Sequence, residues 1–277
     1  MRTQSRTLNS TSYDSIWSVD GSESEKVKLA DYKFSSHWIL RFLGSCNGLV
    51  CIWGRSTEHE ISICFCNPAT KEYKRIVSES VPSYDSIHIN AFGYDCKAGD
   101  YKLIFLDEHV EFTELLVYTL GSNTWKSSQS VPYTFNKERQ TGVLVNGAFH
   151  WLGQARNKNS SKLIVVFDFC TEKFDELQLP EELLEKRHLP MTVGVLEGRL
   201  CVVVTVSEVS FQVWVMQDYA VQESWAPLYT FDHSEDYMSD YDADYDALKL
   251  MPSFRNGHIL VKMALEPLHK IHGVPND

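Results

Sequence analysis

The sequence predicts an all-β protein: a propeller-like ring of four-stranded antiparallel units, about five of them visible. Three observations carry this. Turn pairs suited to a left-handed backbone recur at Asn47-Gly48, Gly99-Asp100, Asn146-Gly147, Glu197-Gly198 and Asn256-Gly257. Their glycines are spaced by about fifty residues, a period that marks repeat architectures. Helix formers gather only at 181–187, EELLEKR, enough for one or two turns.

Residues 1–12 are rich in Ser, Thr and Arg without apolar periodicity, and a loose tail is expected there. Residues 15–29, SIWSVDGSESEKVKL, read as strand, Asp20-Gly21 turn, strand. The first complete unit is 39–76. An apolar run, Asn47-Gly48 and a second apolar run through Trp53 make its first hairpin. Its second is 61–67, the turn Pro68-Ala69-Thr70, in which proline presets φ, and 72–76. The pattern repeats at 89–106 with 115–128, at 141–153 with 163–177, and at 192–204 with 211–228; the last hairpin is 248–263. An aromatic recurs in the final strand of each unit, at Tyr73, Trp125, Phe174 and Trp225, and is expected to pack between neighbouring units. Residues 15–29 look like the outer hairpin of a blade whose inner hairpin is 248–263, so the termini are expected to close the ring together. A single domain over 13–265 follows, with a second loose tail at 266–277.

In a four-stranded meander, the first-to-second and third-to-fourth connections share one end and all others share the opposite end. The first class is tight here, and the second is long, including 54–60, 107–114, 154–161, 78–87, 130–140 and 231–245. Variable loops on a rigid scaffold are where recognition usually resides. Arginine and aromatic side chains dominate binding hot spots, so Arg55, His59, Phe112, Arg156, Tyr237 and Tyr241 are the candidate partner-binding residues. The run 231–246, FDHSEDYMSDYDADYD, holds seven acids and three tyrosines. A solvated loop is its first reading, ahead of a docking site for a basic partner or a calcium loop, which would need a central glycine and a terminal glutamate.

A net charge of −11 argues against nucleic acid and anionic membranes as partners. No apolar run approaches the roughly 18 residues of a membrane span, and no export signal follows Met1. Glycosylation patterns at 9–11 and 159–161 therefore carry little weight. Seven cysteines, an odd number scattered through apolar runs, suit reduced thiols in the cytoplasm or nucleus. A metal site from Cys64, Cys66, Cys46 and Cys51 is the sharper alternative, but tight paired knuckles are missing and core thiols are the expectation, with no metal and no cofactor. No nucleophile elbow, phosphate loop or zinc-helix motif occurs. His150 reads as a core histidine, and Asp95, Asp168 and Asp175 as turn residues before a glycosidase pair. The chain is therefore expected not to be an enzyme.

Taken in order, GSCNGLVCIW, FCNPATKEYKRI, FGYDCKAGDYKLIFL, VYTLGSNTWKS, VNGAFHWLG and VFDFCTEKFDELQLP resemble the F-box-associated domain of plant F-box proteins, also called F-box/kelch-repeat proteins. The similarity covers about 15–263. It implies a plant protein whose associated domain selects the protein to be ubiquitinated by a cullin-based ligase, while a separate F-box grips a Skp-type adaptor. The family-like pattern begins almost at once, so the F-box is expected to be missing, and adaptor binding is expected only if one is supplied. The resemblance thus implies a propeller-like protein-binding module without chemistry of its own, and a monomer is expected. A glycan-binding or hydrolytic propeller and a non-functional truncated remnant are the alternatives.

Overall fold

A computed structural model describes residues 9–11, 26–28, 39–56, 58–77, 81, 89–135, 140–156, 161–207, 210–232, 249–250, 259–262, 269–271 and 274–275. The chain divides into two compact units, 1–86 with 92–94, and 87–91 with 95–277.

The first unit holds a two-stranded sheet of β1 (Asn9–Thr11) and β2 (Lys26–Lys28) and a four-stranded sheet in chain order. The larger sheet runs β3 (Ile39–Cys46), β4 (Leu49–Arg55), β5 (Ile61–Cys66) and β6 (Tyr73–Ile76), every pair antiparallel. Asn47 and Gly48 take φ of 48° and 80°, the two left-handed residues of a type I′ turn, whose twist matches that of the strands it joins. Leu43, Trp53 and Ile63 are fully buried.

The second unit repeats the meander. One sheet is β7 (Ile89–Asp95), β8 (Asp100–Glu108), β9 (Thr113–Thr119) and β10 (Thr124–Val131). The next is β13 (Val143–Val145), β14 (Ala148–Ala155), β15 (Leu163–Asp168) and β16 (Lys173–Gln178), with β11 (Tyr133–Thr134) also paired to β14. A short helix, α1 (Glu181–Glu185), leads to β17 (Met191–Leu196), β18 (Arg199–Ser207), β19 (Ser210–Met216) and β20 (Trp225–Asp232). Type I′ turns recur at Asn146-Gly147 (50° and 79°) and Glu197-Gly198 (50° and 77°).

These sheets pack face to face, and the strands show it by burying both sides. In β15, Leu163, Val165 and Phe167 join Ile104, Leu106, Phe149 and Trp151 in one cluster, while Ile164 and Val166 join Leu183, Val202, Trp214 and Trp225 in the next. Alternate residues of a strand point to opposite faces, so a continuous apolar run is what a doubly covered strand requires.

A link not expected from the sequence is β12 (Gln140–Thr141), which pairs parallel to β7 one residue before the next sheet begins. The side-chain amide of Gln140 both donates to Leu152 O and accepts from Leu152 N, each at 2.9 Å. Gly142 leaves room for the Trp151 indole, which a Cβ there would meet at 2.7 Å.

Several expectations give way. Asn9–Thr11, expected in a loose tail, pairs with β2. At the other end β23 (His269–Ile271) pairs with β22 (Ile259–Lys262), itself beside β21 (Lys249–Leu250), and β24 (Val274–Pro275) adds to the edge of β20. Ladder pairing uses backbone groups, so polar composition did not forbid it. The described strands at the two ends lie in separate sheets, β1 with β2 and β21 with β22 and β23, instead of one shared blade; the rest of 15–29 and of 248–263 lies outside the described residues. Of the recurring aromatics, Trp225 is buried in a cluster between sheets and Phe174 packs beside another. Trp125 instead stacks within its own sheet, 5.0 Å from Tyr118 and 6.2 Å from Phe105, and Tyr73, at the start of the short outer strand β6, is 66% exposed.

Candidate protein-binding surface

The two ends of the meanders are built differently. At the tight-turn end one five-residue device appears three times, at 67–71, 95–99 and 168–172. In each copy an Asx side-chain oxygen accepts two amides: Asn67 from Ala69 and Thr70, Asp95 from Lys97 and Ala98, Asp168 from Cys170 and Thr171. Four residues later Lys71, Gly99 or Glu172 turns left-handed and its N–H returns to the Asx carbonyl at 2.8, 2.8 and 2.9 Å. An Asx side chain mimics a backbone turn in this way, which is why these residues mark turns in sequence.

One connection at that end departs from the pattern. The β19–β20 segment is long, with Ala220 at φ 65° and a 3-10 turn at Gln222–Ser224. It brings the Tyr219 hydroxyl to 2.9 Å from His150 Nε2, while His150 Nδ1 lies 3.3 Å from Val143 O. Burial pushes the His150 imidazole down despite backbone contacts that raise it, so it is a satisfied core histidine, as its apolar strand predicted. Asp168 is held below its ordinary range by the Thr171 amide and hydroxyl. Burial alone would raise Asp95, but Lys102 and the Ala98 and Lys97 amides bring it below its ordinary value. Neither carboxyl is thereby poised as the protonated acid that a glycosidase needs. Cys64 and Cys66 share a face of β5. Burial raises Cys51 well above its ordinary value, with Cys64 and Cys66 adding to it, and burial also raises Cys66.

At the opposite end two connections are shorter than the sequence suggests, because their strands run on through polar residues. The 54–60 loop reduces to 56–60. There His59, exposed and at φ 65°, donates its N–H to Ser56 O at 3.0 Å, and Arg75 pairs with Glu60 at 3.2 Å. Arg55 is half-buried at the end of β4. In the second unit, β8 continues through Glu108 and β9 begins at Thr113, leaving only 109–112 between them.

That four-residue connection is held by Arg156. Its Nε donates to Tyr133 O at 3.1 Å, Nη1 to Val110 O at 3.1 Å, and Nη2 to His109 O at 3.0 Å and to Thr113 Oγ1 at 2.9 Å. The guanidinium fork suits several fixed acceptors at once. Thr113 Oγ1 in turn donates to Tyr133 O at 2.7 Å, and Glu108 accepts from Thr134 Oγ1 and from Phe135 N at 3.1 Å. The loop closes on itself through His109 N–H to Phe112 O at 2.8 Å, and the two rings lie 4.5 Å apart. Val110 sits at its tip and is 94% exposed.

The candidates therefore fall into three groups. Phe112 and Arg156 meet at one loop, where Arg156 serves as its internal brace. Arg55 and His59 flank a loop of the first unit. Tyr237 and Tyr241 lie outside the described residues, as does the acidic 232–246 run after Asp232, the last residue of β20. Sequence reasoning missed Val110, Glu108 and Thr113; the dense acids at 107, 108, 111 and 114 were the signal of an exposed stretch around a lone valine.

Residues 1–254 match the family model described as the F-box associated beta propeller domain. The chain is 26% identical over 242 residues to F-box protein CPR1 of Arabidopsis thaliana, covering 78% of this chain and 58% of that protein. F-box protein At3g07870 of the same plant is 28% identical over 247 residues, with 76% and 57% covered. The chain thus spans under three-fifths of the length of these relatives. Among solved structures, the crystal structure of TolB from Acinetobacter baumannii aligns with a TM-score of 0.42 at 13% identity, covering 94% of this chain and 58% of that one.

Proposed function

Since the chain belongs to the F-box-associated β-propeller family, we propose that it selects the protein substrate of a cullin-based ubiquitin ligase and performs no chemistry itself. The observation that supports this most is the braced 109–112 loop. A fully exposed valine beside a half-buried phenylalanine is set in a fixed backbone before any partner arrives. Ordering a loop on binding costs affinity, and a loop already ordered avoids that cost. The acidic residues around it favour a partner with basic groups beside an apolar one. Adaptor contact belongs to an F-box, and the sheets described here take no part in it. The domain works as a monomer in the cytoplasm or nucleus, a placement that its free cysteines support.

Affinity purification of the chain from plant tissue, with mass spectrometry, identifies partners; each is then expressed and titrated against wild type and Val110→Asp. The substrate binds wild type and loses at least tenfold in affinity with the variant. Direct binding of a purified Skp-type adaptor to this exact chain, or partners indifferent to Val110→Asp and to changes at the other candidates, would overturn the assignment.

A further inference from the structure

Two of the three Asx turns, 95–99 and 168–172, stand side by side in the second unit. Lys102 pins them together: its Nζ lies 2.8 Å from Asp95 Oδ2 and 2.5 Å from Glu172 Oε1, and 5.7 Å from the centre of the Phe169 ring. Each turn carries one cysteine, and beyond burial the Cys170 thiol feels both Cys96 and the Asp95 carboxylate, which raise it. Cys96 is exposed and Cys170 half-buried, whereas Cys51, Cys64, Cys66 and Cys201 are buried in strands. The two cysteines stand on turns whose backbones are fixed by six Asx and carbonyl hydrogen bonds, and the turns are tied to each other by Lys102, which bonds to Asp95 of one and Glu172 of the other; a disulfide between them joins elements already held together.

We propose that Cys96 and Cys170 form a redox modification site, at which a low-molecular-weight disulfide such as glutathione disulfide converts the pair to a bond between neighbouring sheets. Cys96, the accessible sulfur, attacks first. Its thiolate forms a bond to one sulfur of glutathione disulfide while the existing S–S bond breaks, and the departing glutathione thiolate takes up the proton that Cys96 released. Cys170 then attacks the Cys96 sulfur, and the second glutathione leaves carrying the Cys170 proton. The protein gives up two electrons and two protons, and one glutathione disulfide becomes two glutathione thiols. Burial, then the neighbouring Cys96 and Asp95, push the Cys170 thiol up, which suits the second, intramolecular step better than the first.

The test uses the reduced full chain, incubated with glutathione disulfide, alkylated with iodoacetamide and mapped by mass spectrometry. The expected result is a Cys96–Cys170 linked peptide with the other five thiols alkylated, reversed by dithiothreitol. The bond closes a loop of roughly 75 residues, so the unfolding midpoint should rise by about 10 °C. Cys170→Ser should stop at a glutathione adduct on Cys96, and Cys96→Ser should take up far less glutathione. A persistent Cys96 adduct in wild type, linkage of either residue to another cysteine, or oxidation of buried thiols in preference to Cys96 overturns the proposal. The wild-type map decides this even if a serine variant folds poorly.

Discussion

Replacing Arg156 by methionine keeps the aliphatic stem and removes the fork that holds the 109–112 loop. Four hydrogen bonds go with it, to Tyr133 O, Val110 O, His109 O and Thr113 Oγ1. A charged donor to a neutral acceptor is worth about 1.5–3 kcal/mol net, but water can replace the guanidinium at the exposed His109 and Val110 carbonyls. Thr113 and Tyr133 are buried at 0% and 5% exposure, so water does not readily replace the guanidinium at the Thr113 hydroxyl and Tyr133 carbonyl, which keep their 2.7 Å bond to each other. The loss therefore comes to about 3 kcal/mol, mostly from the two buried acceptors. Lysine at 156 offers a point charge without the fork and should recover no more than about 1 kcal/mol of it. Urea unfolding measures the total. Amide exchange localises it, because the His109 N–H, bonded to Phe112 O, should exchange roughly a hundredfold faster in Arg156→Met. A loss under about 0.5 kcal/mol, or a His109 amide as protected as in wild type, would refute the brace.

Three other substitutions test other parts of the fold. Lys102→Met strips the buried Asp95 carboxylate of its cation and should cost about 3 kcal/mol by urea unfolding. The folded Asp95 value lies below its ordinary 3.8, so Asp95 contributes stability above that pH which is lost as pH falls through the folded value. Loss of Lys102 removes two of the influences that lower Asp95, so its value rises and acid unfolding should begin at a higher pH; an unmoved acid limb defeats this account. Glu197, left-handed at φ 50° where Asn stands in the two sister turns, should gain about 1 kcal/mol on replacement by Asn, and an unchanged urea midpoint would count against it. Ser62 Oγ is buried with no hydrogen-bond partner among the described residues, so Ser62→Ala should stabilise by about 1 kcal/mol. A clear destabilisation would show that the hydroxyl is satisfied.

The hairpins were readable because a left-handed pair admits few residues: Asn-Gly at 47–48 and 146–147 states its own geometry. The doubly buried strands were readable for the same kind of reason, since LIVVF at 163–167 leaves no polar face. The braces were not. Arg156 reaches carbonyls at 109, 110 and 133, and a carbonyl carries no residue identity for a sequence pattern to register. His150 and Tyr219 meet across 69 positions for reasons of sheet packing alone. Arg156 and Phe112 were singled out by residue type and do share one loop, yet Val110, the most exposed apolar residue there, fell outside a choice that favoured arginine and aromatic side chains.

The two ends of the second unit are connected by a single strand face. Along β8, Lys102, Ile104, Leu106 and Glu108 point the same way, because side chains alternate. Ile104 and Leu106 enter the cluster with Phe149, Trp151, Val165 and Phe167 of the neighbouring sheet. Lys102 reaches Glu172 after β15, and Glu108 reaches Thr134 and Phe135, beside β14. An apolar centre flanked by one cation and one anion, each bonded across to the same neighbour, fixes both sliding and rotation of one sheet against the next. Apolar contact alone is non-directional and fixes neither. The two charges stand about 20 Å apart along the strand, so Lys102→Met and Glu108→Gln should be additive to within roughly 0.5 kcal/mol if each pins its own end. A larger coupling energy would mean that the apolar centre transmits strain between the ends, and a change at the tight-turn end, oxidation of Cys96 and Cys170 included, would then be felt at the 109–112 loop.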